Sequence, residues 1–313
     1  MTGKRILITG ASGYVGSLLG RRLAQDHTVV GTDIRGRDDL GFAVHVQDIR
    51  DPSLEALMTA ERVTHVVHLA SVLDTTGARA QGFDIDVNGT RNVLDSCVRS
   101  GVRHVTVTSS GAAYGYHPDN PAWISETDEL RGNPEFPYSD HKRQIEEMLA
   151  EYRHEHPQLQ QLIFRPGTIL GSGTRNLITQ LFTGKRVLAI RGSDSPFVFV
   201  WDQDVVDAMR FGIREDRTGI YNMAGDGALT VYEIADVLGK PVRALPAGLV
   251  RAALQAGRLL RLGRYGPEQV NFLRYRPVLS NKRLKEEFGY LPRKTSSETF
   301  RFYVQHARAR GDL

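Results

Sequence analysis

Two apolar rhythms alternate along this chain. Short runs rich in Val, Ile, Leu and Thr read as strands, and between them lie stretches whose apolar residues recur at helical spacing. "RILITG" precedes "GSLLGRRLAQD"; "TVVGTD" stands next; "FAVHVQDI" precedes "PSLEALMTA"; "VTHVVHLAS" precedes "VNGTRNVLDSCVRSG"; "RHVTVTSS" precedes a helical stretch opening at Tyr138; and "QLIFRPG" follows. Strands joined through helices pair in parallel, because each crossover carries the chain back to the end of the sheet where it started. The expected fold is α/β, a doubly wound parallel sheet with a smaller, mainly C-terminal lobe. The sheet domain is expected at 1–170 plus a return segment near 197–226, and the lobe at about 171–196 and 227–313.

The rhythm breaks in two places. "GYHPDNPAWISETDELRGNPEFP" exceeds ordinary loop length and directly precedes Tyr138, which marks it as a candidate binding loop. Trp123 and Glu126 within it read either as substrate contacts or as a cover over the core. "AGLVRAALQAGRLLRL" puts Leu249, Ala253, Ala256 and Leu260 on one helical stripe, with Arg251, Arg258 and Arg261 largely off it. That stripe is expected to pack against the rest of the protein.

The 313 residues, 41% hydrophobic and 24% charged, describe a globular chain. No apolar run approaches the roughly 20 residues of a membrane helix, and "MTGKR" meets "ILITG" too abruptly for a secretory signal; the expected location is the cytoplasm. The formal charge of +4 hides an asymmetry. Lys240–Leu313 holds 16 Lys and Arg against 5 Asp and Glu, leaving 24 against 31 before it. Such a tail could serve nucleic acid, a membrane surface or an anionic small molecule, or be a set of solvated helix faces; a small-molecule substrate is expected, with neither nucleic acid nor membrane as partner. The single cysteine, Cys97, excludes an intramolecular disulfide and reads as a small buried hydrophobe. His154 and His156, two apart on a helix, diverge, so no metal site is expected. His65, His68 and His104, in or beside strands, read as structural.

The first strand runs into "TGASGYVG". There Gly10 permits the tight turn, Gly13 a close approach to a pyrophosphate and Gly16 the packing of the next helix on the sheet, while the helix N-terminus meets the phosphates. Asp33, ending the second strand, is placed to accept from adenosine ribose hydroxyls and to repel a 2′-phosphate, so NAD is expected over NADP. Arg35 pulls the other way, and Asp33 also reads as a turn residue before "RGRDD". Tyr138 and Lys142 stand four apart on a helix entered through Pro137, hence on one side. The same spacing recurs at Tyr290 and Lys294, where Gly289 and Pro292 interrupt a helix, so spacing alone does not choose between the pairs.

Over nearly its whole length the chain resembles the extended short-chain dehydrogenases/reductases of the NAD-dependent epimerase/dehydratase family. The motifs that carry the resemblance are "TGASGYVG", "QDIR", "HLAS", "VNGT", "TSSGAAYG", "YSDHK" and "FRPGTILG", in family order. It implies a Rossmann-type cofactor domain and a catalytic triad of Ser110, Tyr138 and Lys142, with Ser109 the alternative serine. It further implies that NAD is held by Gly10, Ser12, Gly13, Tyr14, Val15, Gly16, Asp33, Ile34, Arg35, Asp48, Ile49, Leu69, Ala70, Ser71, Asn88, Thr108, Tyr138, Lys142, Pro166 and Gly167. Asp48 would contact adenine, Asn88 would position the cofactor, and Pro166 and Gly167 would wall the nicotinamide. Ser110, Gly111, Ala112 and Asn176 would face substrate. A homodimer through the helices near 88–100 and 138–153 is compatible with the resemblance.

The chemistry implied is hydride exchange at a secondary alcohol. Tyrosine ordinarily titrates near ~10, and the neighbouring ammonium of Lys142 favours the phenolate, which suits Tyr138 to general base catalysis. Departures from the family pattern narrow the outcome. Gly111-Ala112 stands where dehydratases carry an acidic pair, so dehydration is not expected. Phe197 falls about where many nucleotide-sugar epimerases have a diphosphate-pairing arginine, and the 249–262 helix resembles that of hydroxysteroid-dehydrogenase-like and dihydroflavonol-reductase-like members. Against these stand the basic tail and Asn176-Leu177, which resembles the family's Asn-Leu near the diphosphate. Net oxidoreduction is the expectation, 4-epimerisation with retained NAD the alternative, and a non-catalytic NAD-responsive protein a third reading.

Overall fold

The computed structural model describes residues 3–72, 79–194, 196–260 and 266–313. The strands, in chain order, are β1 (Arg5–Thr9), β2 (Thr28–Asp33), β3 (Ala43–Val46), β4 (His65–His68), β5 (His104–Thr108), β6 (Gln160–Pro166), β7 (Thr168–Leu170), β8 (Val187–Ile190), β9 (Phe199–Trp201), β10 (Gly219–Met223) and β11 (Val242–Leu245). Among the described residues, seven of them form one sheet in the order β10-β6-β5-β4-β1-β2-β3. Within it β1 pairs in parallel with β2 and β4, β2 with β3, and β5 with β4 and β6. The strand order reverses beside β1, the crevice where parallel sheets with helical crossovers bind their ligands. The sequence rhythm therefore predicts the central architecture correctly.

Helices α1 (Tyr14–Leu23), α2 (Leu54–Ala60), α3 (Arg79–Phe83), α4 (Gly89–Arg99), α5 (Pro137–Glu155), α6 (Leu177–Gln180), α7 (Asp202–Arg214), α8 (Val231–Leu238), α9 (Ala247–Leu259), α10 (Gln269–Arg274) and α11 (Ser296–Ala309) complete the frame, with a π turn at Asp84–Asn88 between α3 and α4.

The chain forms two compact units. The first comprises Met1–Ser110, His141–Arg165 and Val205–Tyr221; the second Gly111–Asp140, Pro166–Asp204 and Asn222–Leu313. Relative to the expected boundaries, the long loop and its flanks, Gly111–Asp140, belong to the second unit. In the first unit Leu7, Val66 and Val105 stand in register across three strands and are wholly enclosed, with Leu94, Cys97, Met148 and Leu149 packed on the same core. Burial raises the Cys97 thiol far above its ordinary range, as an inert apolar filler requires. The strand histidines are tied down too. His65 bonds Asp216 at 2.7 Å, His104 the Arg217 carbonyl at 2.8 Å, and His68 lies between Thr9 and Thr90 at 2.7 and 2.9 Å.

The second unit is built around aromatic rings. Phe197 stacks on Phe199 at 5.6 Å and Phe199 on Phe300 at 5.1 Å, with Phe182 edge-on to Phe197 and Phe300. Capping boxes at Thr230 and Thr295 start α8 and α11, each with a glutamate three residues on. The expectation for the basic helix fails. In α9 the inward residues are Val250 and Leu254, which join Ile190, Leu245, Val270 and Leu273. Leu249 is 56% exposed, Leu259 74% and Leu260 67%, so the stripe through Leu249 points away from its own unit. Arg261 and Leu262 lie outside the described residues. No helix among the described residues is long and apolar enough to cross a membrane.

Candidate active site

In the glycine loop Gly10 makes the tight turn and Gly16 the close packing expected of them. Gly10 has φ +71° and a Cβ there would sit 2.8 Å from the backbone nitrogen of Ala70, so only glycine fits between β1 and the strand end at Leu69–Ala70. A Cβ at Gly16 would meet the Gly10 carbonyl at 2.2 Å, which keeps α1 close to the loop. Asp33 clamps this turn: its carboxylate accepts from Ser12 N at 3.1 Å and Arg35 N at 3.0 Å, while Ser12 Oγ donates to the Arg35 carbonyl at 2.7 Å. Each carboxylate oxygen has further acceptor capacity, so the turn role and the ribose role do not exclude one another. Tyr14 and Ile34 are exposed. Asp48 is held by Arg50 at 2.7 Å, which with Arg50 N keeps its carboxyl below the usual range.

Beneath the ends of β4 and β5 the first unit carries two buried networks that the sequence reading did not pick out. Asp86 receives Ser71 Oγ at 3.0 Å, Val72 N at 2.8 Å and His141 Nδ1 at 3.0 Å. Asn88, by contrast, is exposed and donates to Asp84 at 2.9 Å. Asp86, two positions before Asn88, is the residue that reaches the loop after β4. The second network joins Ser109 Oγ to Glu146 at 2.5 Å and Glu146 to Arg165 at 2.5 Å, all buried. It engages Ser109 in packing, while Ser110, the expected catalytic serine, is half-buried. Lys142, on the face of α5 next to these groups, is 5% exposed and donates to the Thr108 carbonyl at 3.3 Å. Tyr138 precedes it by one turn of the same helix.

In the second unit Tyr138 acts on Tyr116, which belongs to an aromatic and cationic cluster. Tyr116 meets Phe136 at 5.1 Å and Phe272 at 5.3 Å, both edge-on. The guanidinium carbon of Arg276 lies 3.6 Å from the Phe197 ring centre and 4.7 Å from that of Phe272. Burial pulls the Arg276 guanidinium down to about 9, with Tyr116 acting in the opposite sense; burial, then Tyr138, pushes the Tyr116 phenol up. A cation held between rings in a desolvated place is expensive to keep. Nothing in the sequence pattern around "RYRP" singled out Arg276.

The remaining expected residues separate by role. Gly111 abuts Leu279, where a Cβ would come within 2.9 Å, and Ala112 is buried, so this place holds no acid. Pro166 ends β6, and Gly167 N donates to the Met223 carbonyl at 2.9 Å. Asn176 caps α6, its Oδ1 accepting from Thr179 N at 2.9 Å. Glu126 is buried and accepts from Asn222 N at 2.7 Å, whereas Trp123 is 49% exposed. Tyr290 donates to Asp204 at 2.9 Å, and Gly289 ends the preceding turn at φ +86°, which makes this second tyrosine a packing residue. Among the described residues no cluster of His, Cys, Asp and Glu is arranged to hold a metal ion.

The model of the NAD dependent epimerase/dehydratase family matches residues 6–224. The chain belongs to that family, and its cofactor is NAD. The clamped glycine loop and Asp33 fit the dinucleotide. A protein of Mycobacterium tuberculosis described as uncharacterized is 26% identical over 96% of this chain and 84% of its own length. The Escherichia coli O157:H7 N-acetyl-alpha-D-glucosaminyl-diphospho-ditrans,octacis-undecaprenol 4-epimerase is 27% identical over 73% of this chain and 70% of its own. The fold is shared with the UDP-glucose 4-epimerase of Thermus thermophilus solved with NAD, at TM-score 0.74 and 24% identity over 97% of this chain and 99% of that one.

Proposed function

We propose that this protein carries out reversible hydride transfer at a secondary alcohol carbon of a sugar bearing a diphosphate, and that it returns the hydride to the opposite face as a 4-epimerase. NAD, when bound, supplies the hydride acceptor. Tyr138 takes the hydroxyl proton and gives it back on the return, Lys142 holds charge complementary to the phenolate, and Ser110 donates a hydrogen bond to the reacting oxygen. Gly111 and Ala112 offer no group to protonate a leaving hydroxyl, which argues against dehydration.

The observation that carries the substrate class is Arg276, a desolvated cation against Phe197 and Phe272. It brings a guanidinium to the ring that occupies the expected arginine position, and the E. coli relative's name describes a sugar diphosphate substrate. Phe197 itself favours a second reading, net oxidation of a less polar alcohol. Identifying the nucleotide that copurifies, then screening UDP-sugars beside steroid, flavonoid and small carbonyl compounds, separates the two. Retained NAD with a 4-epimer formed supports the proposal; stoichiometric NADH from a non-nucleotide alcohol supports the second reading.

A further inference from the structure

Helix α9 has two apolar faces. At about 100° per residue, Ala247, Val250 and Leu254 fall on one side, and these pack on Ile190, Leu245, Val270 and Leu273. Leu249, Ala252, Ala253, Ala256, Leu259 and Leu260 fall on the other, within an arc of about 120°, and all six are exposed. A helix needs one apolar face to join its own unit. The second, ending in leucines 74% and 67% exposed, is left uncovered by the described residues.

Charge identifies what covers it. From Lys240 to Pro267 the sequence has six cations and no Asp or Glu. Arg251 and Arg258 lie together on one side of the helix, roughly 80–100° beyond the edge of the outward face; Arg251 donates to Asn271 at 3.4 Å, and Arg258, 68% exposed, reaches Glu268 at 3.8 Å. An exposed apolar face on a helix whose polar side carries cations and no acids matches an anionic bilayer surface, where leucines enter the acyl boundary and the arginines are drawn toward the lipid phosphates. A second copy of the chain fits worse, because a two-fold pairing of α9 brings the same acid-free segment against itself. We infer that α9 docks this protein peripherally on anionic membranes through Leu249, Leu259 and Leu260.

The docking has a consequence for the substrate. α9 packs against α10 through Val250 and Val270, and α10 carries Phe272, whose ring lies against Tyr116 and Arg276. The helix on the membrane is therefore the immediate neighbour of the helix lining the aromatic and cationic cluster. This suits a sugar diphosphate carried on a lipid, a refinement that rests on the proposed function; the docking itself does not.

The test uses the full chain and sedimentation with vesicles of phosphatidylcholine, with or without phosphatidylglycerol. Binding to the phosphatidylglycerol vesicles is expected, weakened by salt, and Leu259→Gln with Leu260→Gln should reduce the bound fraction about tenfold or more. Because both leucines are solvent-facing, the variant should keep its melting temperature and NAD affinity. Arg251→Gln with Arg258→Gln should weaken binding to anionic vesicles specifically. Absence of vesicle binding, or binding unchanged in the leucine variant, overturns the inference; so does a dimer that the leucine variant abolishes while vesicles are ignored.

Discussion

Nδ1 of His141 lies 3.0 Å from Oδ2 of Asp86; both residues are buried, and His141 stands one step along α5 from Lys142. Burial raises a carboxyl's pKa, yet the His141 bond, the Lys142 charge and the Val72 and Ser71 donors outweigh it and hold Asp86 below its ordinary value. The pair ties the loop after β4 to the helix carrying both proposed catalytic groups. Asp86→Ala should cost about 1–3 kcal/mol of stability by stranding buried donors. Asp86→Asn should recover most of that stability while leaving a displaced pH–rate profile. Equal profiles for Asp86→Asn and wild type would reduce the pair to packing.

Acid should unfold this protein in a particular window. Burial, and secondarily the Lys142 charge, push His68 down to about 3. The folded state therefore holds this ring neutral while an unfolded histidine protonates near ~6.5. Stability is lost as pH falls below that unfolded value and continues to fall toward the folded one. Asp86 acts in the same direction at lower pH, because its depressed carboxyl contributes stability above the unfolded carboxylate range that disappears on protonation. His68→Gln, which can still bond Thr9 and Thr90, should flatten the melting-temperature slope between about pH 6.5 and 4.

The two tyrosine–lysine pairs should behave oppositely. Tyr138→Phe should keep the fold and NAD binding and lose most turnover, at least about a hundredfold, and Lys142→Met should weaken both NAD binding and turnover. Tyr290→Phe removes one bond to Asp204, so it should lower stability by about 1 kcal/mol and leave kcat unchanged. Full turnover in Tyr138→Phe would remove it as the acid and base.

Cofactor choice should follow Asp33. NAD should bind more tightly than NADP, Asp33→Ala should narrow the gap, and salt should narrow it as well because the discrimination is electrostatic. Gly10→Ala should abolish binding of both, since its Cβ collides with the Ala70 backbone. Titration by calorimetry reads all three, and tighter NADP binding by the wild type would give the decision to Arg35 or Arg37.

Arg276→Met should weaken UDP binding about tenfold or more, as loss of a buried charge-assisted contact does, with little effect on NAD. Unchanged UDP affinity would return the substrate class to the less polar alternative.

How far the sequence was readable depended on whether the signal was local. The sheet followed from apolar runs such as "RILITG" and "HVTVT", and the glycine loop from three residues set between a strand and a helix, because both are decided within a few positions. Asp86 and Arg276 escaped because their roles arise from partners far away in the chain: His141 for one, Phe197 for the other. Periodicity located the apolar positions of α9 and misjudged their direction. Leu249 and Val250 are both apolar, and the positions of β8, β11 and α10 decide which of them is covered.

The most direct test follows the hydride itself. A UDP-sugar deuterated at carbon 4 is incubated with the holoenzyme and excess unlabelled NAD, and the 4-epimer is weighed by mass spectrometry while reduced-nicotinamide absorbance is recorded. Hydride withdrawn and returned within one active site predicts an epimer that keeps its deuterium, no accumulating NADH, and loss of the product in Tyr138→Phe. Deuterium released into free NADH, or an epimer carrying solvent hydrogen at carbon 4, would contradict the account.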